Sequence, residues 1–259
     1  MIWESKEEIN DIAAKGAAYQ LTELFGFTEP KQIVLEDIAM VRGVLVIEGA
    51  LEGAEARLVR RGEHGIIRVK KALEVGRKRF AIAHEMGHWE LHKDVLSEIY
   101  SENTIKGYGS TKIEIEANIF ASELLMPTNM FRPKCVELQP SFQSIKRLAD
   151  EFATSLTAAT VRFVDETEYS CAVVFSERGK ISWWRKSRSC EEIWFERQQE
   201  IREGSLAWDC LAGKDASQLE GTVDAEAWVN EAERYEITKV FEQSILLAGH
   251  SVVMSLIWI

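Results

Sequence analysis

The sequence predicts an α+β fold: a helical core with a small β-sheet, a helix-turn-helix-like pair, and a β-rich C-terminal region. Apolar residues recur at helical spacing near the N-terminus and again at residues 79–92, 113–125 and 141–164. Three short β-branched runs lie between residues 44 and 69, ahead of the second of these stretches. From Tyr169 onward, strand-like runs predominate. The expected divisions are 1–140, 141–166 and 167–259.

Taken in order, residues 4–25 carry Ile9, Ile12, Ala13, Ala17, Leu21, Leu24 and Phe25 on a helical stripe, and Gly26 ends it. Pro30 opens a short helix containing Ile33, Ile38 and Ala39. Gly43 precedes a strand, Val44-Leu45-Val46-Ile47. Ala56–Arg60 and Gly65–Val69 read as two more strands, joined by a turn over Arg61–Gly65. Arg57, Arg60, Arg61, Arg68, Lys70, Lys71, Arg77, Lys78 and Arg79 crowd this region. They are read as outward-facing charges that discourage edge pairing, in preference to a nucleic-acid or acidic-substrate surface.

Composition narrows the function classes. A hydrophobic fraction of 46% with four prolines in 259 residues describes a folded chain with ample core. No apolar run reaches membrane-spanning length, and the first residues lack a signal-peptide pattern, so a cytoplasmic protein is expected. Cys135, Cys171, Cys190 and Cys210 include no Cys-x-x-Cys pair, which points to free thiols. A net charge of −11 disfavours nucleic acid as the main partner.

The chemistry centres on Arg79-Phe80-Ala81-Ile82-Ala83-His84-Glu85-Met86-Gly87-His88-Trp89-Glu90-Leu91-His92. Residues four apart share one face of a helix, so His84 and His88 can hold one metal ion between them. Glu85 lies about 100° further around the axis, within reach of a water beside that ion. Two imidazoles and an adjacent general base are what a zinc hydrolase requires. Ala81, Ala83 and Gly87 are small and permit close approach of another segment. His92 lies about 12 Å from His84 along the axis, too far to share an ion, and is read as structural, bonding a neighbouring loop. His64 and His250 have no motif around them.

A second helix, ending at Pro127, carries Ala117, Phe120, Ala121, Leu124 and Leu125 on its apolar stripe. Glu114 and Asn118 share a face. Glu114 reads either as a third metal ligand, with Asn118 orienting a ligand, or as part of a capping box with Thr111. Glu116 lies about 200° around from Glu114 and is expected to face solvent if Glu114 faces the metal.

The two blocks together, Arg79-Phe80-x-x-Ala83-His84-Glu85-x-Gly87-His88 and Glu114-x-x-Ala117-Asn118-x-Phe120-Ala121-x-x-Leu124-Leu125-Met126-Pro127, resemble the ImmA/IrrE family of zinc metallo-endopeptidases. The resemblance covers roughly residues 8–165. It implies a zincin-like peptidase core in residues 1–140, with His84, His88 and Glu114 as zinc ligands and Glu85 as catalytic acid/base. Manganese is an alternative metal, since these ligand types accept both. It also implies a protein substrate, a helix-turn-helix transcriptional repressor whose cleavage derepresses genes in a stress response. Tyr100 and Tyr108 are candidates for oxyanion stabilisation by position alone.

Residues 141–164 have the spacing of a helix-turn-helix. The second helix would offer a DNA groove chiefly Thr157, Thr160 and Arg162, so an αα-hairpin is preferred and direct DNA binding is not expected. The rival to the enzyme reading is a DNA-binding or repressor-docking regulator with a structural metal site. Beyond this pair, Cys171–Phe175 and Lys180–Trp184 read as a hairpin, Ile193–Ile201 as helical, and Gly204–Gly221 as loop. Val223–Val229, Thr238–Leu246 and Ser251–Ile259 read as strands. No ligand motif marks this region, which is read as a scaffold or substrate-docking module.

Overall fold

The computed structural model describes residues 10–93, 112–136, 138–195, 198–213, 218–230, 236–247 and 252–259. Tyr100, Tyr108, Thr111 and His250 lie outside the described residues. The chain forms two compact units, Met1–Met130 with Ala149–Ser155, and Phe131–Leu148 with Leu156–Ile259. The architecture is α+β, as the sequence predicts.

In the first unit, helix α1 (Asp11–Phe25) begins where the Asn10 side chain accepts a hydrogen bond from the Ala13 N–H at 2.9 Å. Gly26 closes it in the left-handed conformation. The expected single helix after Pro30 is instead a 3-10 turn, Pro30–Gln32, followed by α2 (Leu35–Val41). Extended backbone at Val34 separates them, and the Ile33 carbonyl accepts from Arg79 Nη1 at 3.0 Å rather than continuing a helix.

Strands β1 (Val44–Gly49), β2 (Ala56–Arg61) and β3 (His64–Lys70) form a sheet in the order β1-β3-β2. β1 runs parallel to β3 and β2 antiparallel. Only glycine suits position 43, where φ is +80° and a Cβ would meet the Glu63 carbonyl oxygen at 2.7 Å. β3 alternates: Gly65, Ile67 and Val69 are buried, while Ile66, Arg68 and Lys70 point outward.

The sheet's inner face meets α3 (Val75–Leu91), which packs most extensively on α4 (Lys112–Leu125). α4 also lies against α1, so two of its sides are covered. Several of the crowded basic residues have defined partners. Arg60 sits over the Trp89 ring at 3.9 Å, Arg77 pairs with Glu55, and Lys78 pairs with Glu48. Helices α5 (Thr128–Val136) and α6 (Phe142–Glu151) each carry the chain across the unit boundary.

The second unit is built on a five-stranded antiparallel sheet, ordered β5-β4-β8-β7-β6. Its strands are β4 (Cys171–Glu177), β5 (Lys180–Lys186), β6 (Gln218–Asp224), β7 (Lys239–Leu247) and β8 (Val252–Trp258). Helix α7 (Leu156–Glu166) packs on β4 and β5, and the short α8 (Leu206–Leu211) packs on β6, β7 and β8. A core of Val174, Ile193, Phe195, Trp228, Val240 and Ile257 fills one side of the sheet. Glu242 is fully buried there, and its carboxylate accepts from Trp228 Nε1, the Ala207 N–H and Ser244 Oγ at 2.6–2.7 Å. A buried carboxylate is tolerable because these donors replace water.

Three expectations for this region are corrected. The described residues of Ile193–Ile201 are not helical: the Gln198 N–H donates to Ile181 O and the Ile181 N–H to Gln199 O, so residues 198–201 pair alongside β5. Val223–Val229 is not one strand, because β6 ends at Asp224 and Ala225–Ala227 turn as a 3-10 helix that buries Trp228. Gly204–Gly221 holds α8, capped by Ser205 Oγ, and the start of β6. None of the described helices is long and apolar enough to cross a membrane.

Candidate active site

The site is assembled from α3 and α4. Gly87 lets the two helices approach: a Cβ there would lie 3.0 Å from Ala117 Cα and 3.1 Å from Ala117 O. Ala83, Ala117 and Ala121 are all buried with it, which answers the expectation drawn from the small residues of the motif.

Across this contact, His84, His88 and Glu114 each present one ligand atom, all within 4.8 Å of one another. His84 Nε2 and His88 Nε2 are 3.1 Å apart. Glu114 Oε2 lies 3.2 Å from His84 Nε2, and Oε1 lies 3.4 Å from His88 Nε2. Asn118 Oδ1 accepts from His84 Nδ1 at 2.9 Å, which places the proton on Nδ1 and leaves Nε2 free. Two neutral imidazoles and a carboxylate with free lone pairs are a donor set that zinc accepts.

The electrostatics keep the Glu114 carboxylate in its ligating form. In the absence of metal, protonated rings of His84 and then His88 can donate to the Glu114 carboxyl, and this holds it well below the usual range, so it stays ionised. Burial pulls the His84 pKa down, but Glu114, Glu85 and Asn118 together outweigh it and raise the pKa. Burial pushes the Glu85 carboxyl up, against the pull of both histidines. The Leu58 N–H of β2 donates to Glu85 Oε2 at 3.0 Å, and the carboxyl is close enough to both histidines to feel their charge.

Glu116 departs from the expectation that it faces solvent: it is 7% exposed. The 200° argument assumes one buried side, but α4 is enclosed by α3 and α1. Glu116 Oε1 accepts from the Asn10 N–H at 2.8 Å, and Oε2 lies 3.1 Å from His92 Nε2. His92 is kept out of the ligand cluster as expected, yet it bonds α4 and His88 rather than a loop, with Nδ1 3.0 Å from His88 Nδ1. Burial holds its pKa down. Sequence reasoning passed over this pair, though the repeated four-residue step from His84 to His88 to His92 signals it. His64 is exposed on β3, away from the cluster.

In the helical pair of residues 142–166, Thr160 is fully buried and donates to the Leu156 carbonyl, and Arg162 is 3% exposed beside Glu166 at 3.3 Å. Two of the three side chains that a DNA groove would need therefore point inward.

Comparisons with known proteins point to a peptidase family. The family model of the IrrE N-terminal-like domain, a peptidase family, matches residues 39–164. The radiation response metalloprotease IrrE of Deinococcus radiodurans is 28% identical over 107 residues, 40% of this chain and 32% of that protein. The chain thus spans about a third of the length of the curated relative it matches. A Mycobacterium tuberculosis transcriptional regulator shares the fold, with a TM-score of 0.62 and 17% identity over 96% of this chain and 76% of that one. Residues 39–164 thus match the IrrE N-terminal-like domain family, and with the likeness to IrrE this match supports membership of the ImmA/IrrE family.

Proposed function

We propose that this chain is a cytoplasmic zinc-dependent endopeptidase, with His84, His88 and Glu114 holding the metal and Glu85 serving as general acid/base. The observation that carries the reading is the convergence of three ligand atoms within 4.8 Å, with the Glu85 carboxylate beside them. When bound, zinc supplies Lewis acidity, polarising a substrate carbonyl and making a water acidic near neutral pH.

The chain's own groups do the rest. Glu85 Oε2 accepts from the Leu58 N–H; in this reading the other oxygen takes a proton from water and later gives it to the departing amine. Its raised pKa suits that exchange, because a carboxyl nearer neutrality returns a proton more readily. Asn118 keeps His84 turned with Nε2 inward. Manganese remains an alternative occupant of the same donors.

The substrate is proposed to be a helix-turn-helix transcriptional repressor, cleaved so that the genes it silences are expressed under stress. This step rests on family membership. The burial of Thr160 and Arg162 weighs against the rival in which residues 141–166 read DNA directly.

The test is co-incubation of the purified protein with the repressor encoded beside its gene. Cleavage is expected with zinc, and neither with chelator nor with Glu85→Gln, which should still bind metal. A Glu85→Gln protein that cuts as fast as wild type overturns the assignment. A stable complex without cleavage would favour a docking regulator.

A further inference from the structure

We infer that His92 and Glu116 are positioning residues of the metal site, fixing the tautomer of His88 through a carboxylate–histidine–histidine chain. The inference rests on the metal-site reading above, and it goes further by giving a task to two side chains outside the ligand cluster.

The direction of each hydrogen bond follows from elimination. Glu116 Oε1 already accepts from the Asn10 N–H at 2.8 Å, and its Oε2 lies 3.1 Å from His92 Nε2. An ionised carboxylate only accepts, so His92 Nε2 carries a proton and donates. A neutral imidazole with Nε2–H has a lone pair on Nδ1, and this atom is 3.0 Å from His88 Nδ1. His88 Nδ1 is therefore the donor, and in the neutral ring its Nε2 keeps the lone pair. That atom lies 3.1 Å from His84 Nε2 and 3.4 Å from Glu114 Oε1, inside the ligand cluster. Reversing the middle bond would require a doubly protonated His92 or leave a lone pair facing the carboxylate.

His88, His92 and Glu116 are each no more than 7% exposed, so water does not compete for these bonds. The arrangement mirrors the other histidine, whose Nδ1–H is held by Asn118 at 2.9 Å. Both ligands are thus set by a partner on α4, one directly and one through His92. The chain ends on the backbone of Asn10, so the start of α1 helps orient the carboxylate.

The experiment measures zinc affinity by chelator competition for wild type, His92→Leu and His92→Gln. It also records the imidazole nitrogen shifts of the zinc-loaded wild type. Breaking such a support typically costs 10–100-fold in metal affinity, and that loss is expected for His92→Leu. His92→Gln should recover most of it, because the amide oxygen can accept from His88 and the amide nitrogen can donate to Glu116. The spectra should show His92 protonated at Nε2 alone. Wild-type affinity in His92→Leu, or a proton on His92 Nδ1, overturns the inference while leaving the metal site standing. Failure of the wild type to bind zinc overturns both. Should His92→Leu not fold, the wild-type nitrogen shifts decide.

Discussion

Gly87 on α3 and Ala117 on α4 are in contact so close that a Cβ on Gly87 would lie 3.0 Å from the Ala117 Cα. The same two helices carry the proposed ligands, His84 and His88 on one and Glu114 on the other. The spacing of the backbones therefore sets the spacing of the donors. Helix packing here is a condition of the site as well as of the fold.

Gly87→Ala tests this coupling. Alanine gains roughly 1 kcal/mol of helix propensity over glycine. Against that, the added methyl meets backbone atoms at 3.0 and 3.1 Å, and overpacking of this kind costs about 1–3 kcal/mol. Backbone cannot turn aside as a flexible side chain does, so the clash should win. Denaturant titration is expected to show a net loss of stability, and zinc titration a weakened site. A more stable protein with unchanged zinc affinity would show that the approach is not critical.

Zinc itself should stabilise the fold. A ligand that binds only the folded state at one hundred times its dissociation constant adds about 2.7 kcal/mol. The thermal midpoint of the first unit is expected to rise with zinc and fall back with chelator. His84→Ala should remove most of this response, because two donors cannot replace three. A response of wild-type size in His84→Ala would place the metal elsewhere.

Glu116 offers a sharper stability test. Both of its oxygens accept, one from the Asn10 N–H and one from His92 Nε2. In Glu116→Gln the amide NH₂ must face one of those donors. A buried donor set against a donor costs about 1–3 kcal/mol, although the change of shape is small. Unfolding in urea should report that loss even without metal. If Glu116→Gln is as stable as wild type, the carboxylate is not satisfied in the way these distances describe.

Much of the first unit was legible because its signals are local. His84 and His88 announce a shared helical face by spacing alone, and Gly26 and Pro127 mark helix ends through their own backbone restrictions. Glu116 was misread because helical geometry fixes angles around one axis but not how many neighbours surround it. The second unit was harder for a similar reason. Ile193, Phe195 and Ile201 are buried by a segment whose hydrogen bonds run to β5, a partner that local periodicity does not reveal. Trp228 lies outside any strand because its indole reaches Glu242 across the core.

The cysteines give a pH prediction. Cys135 and Cys171 are fully buried, and burial pushes each thiol up to about 12. In the unfolded chain a thiol titrates near 8.5, so between about pH 8.5 and 12 the unfolded state loses a proton that the folded state keeps. The unfolded state then binds fewer protons, and stability must fall as pH rises. The slope contributed by each thiol should be about 1.4 kcal/mol per pH unit within that window, with no contribution below it. Urea unfolding at a series of alkaline pH values measures the slope. Replacing both residues by alanine should lower overall stability but flatten the dependence on pH. The native thiols should also react slowly with an aromatic disulfide at pH 8, because the thiolate is the reactive form. Rapid labelling of folded protein at Cys135 or Cys171, or an alkaline slope unchanged in the double variant, would show that these thiols ionise freely in the fold.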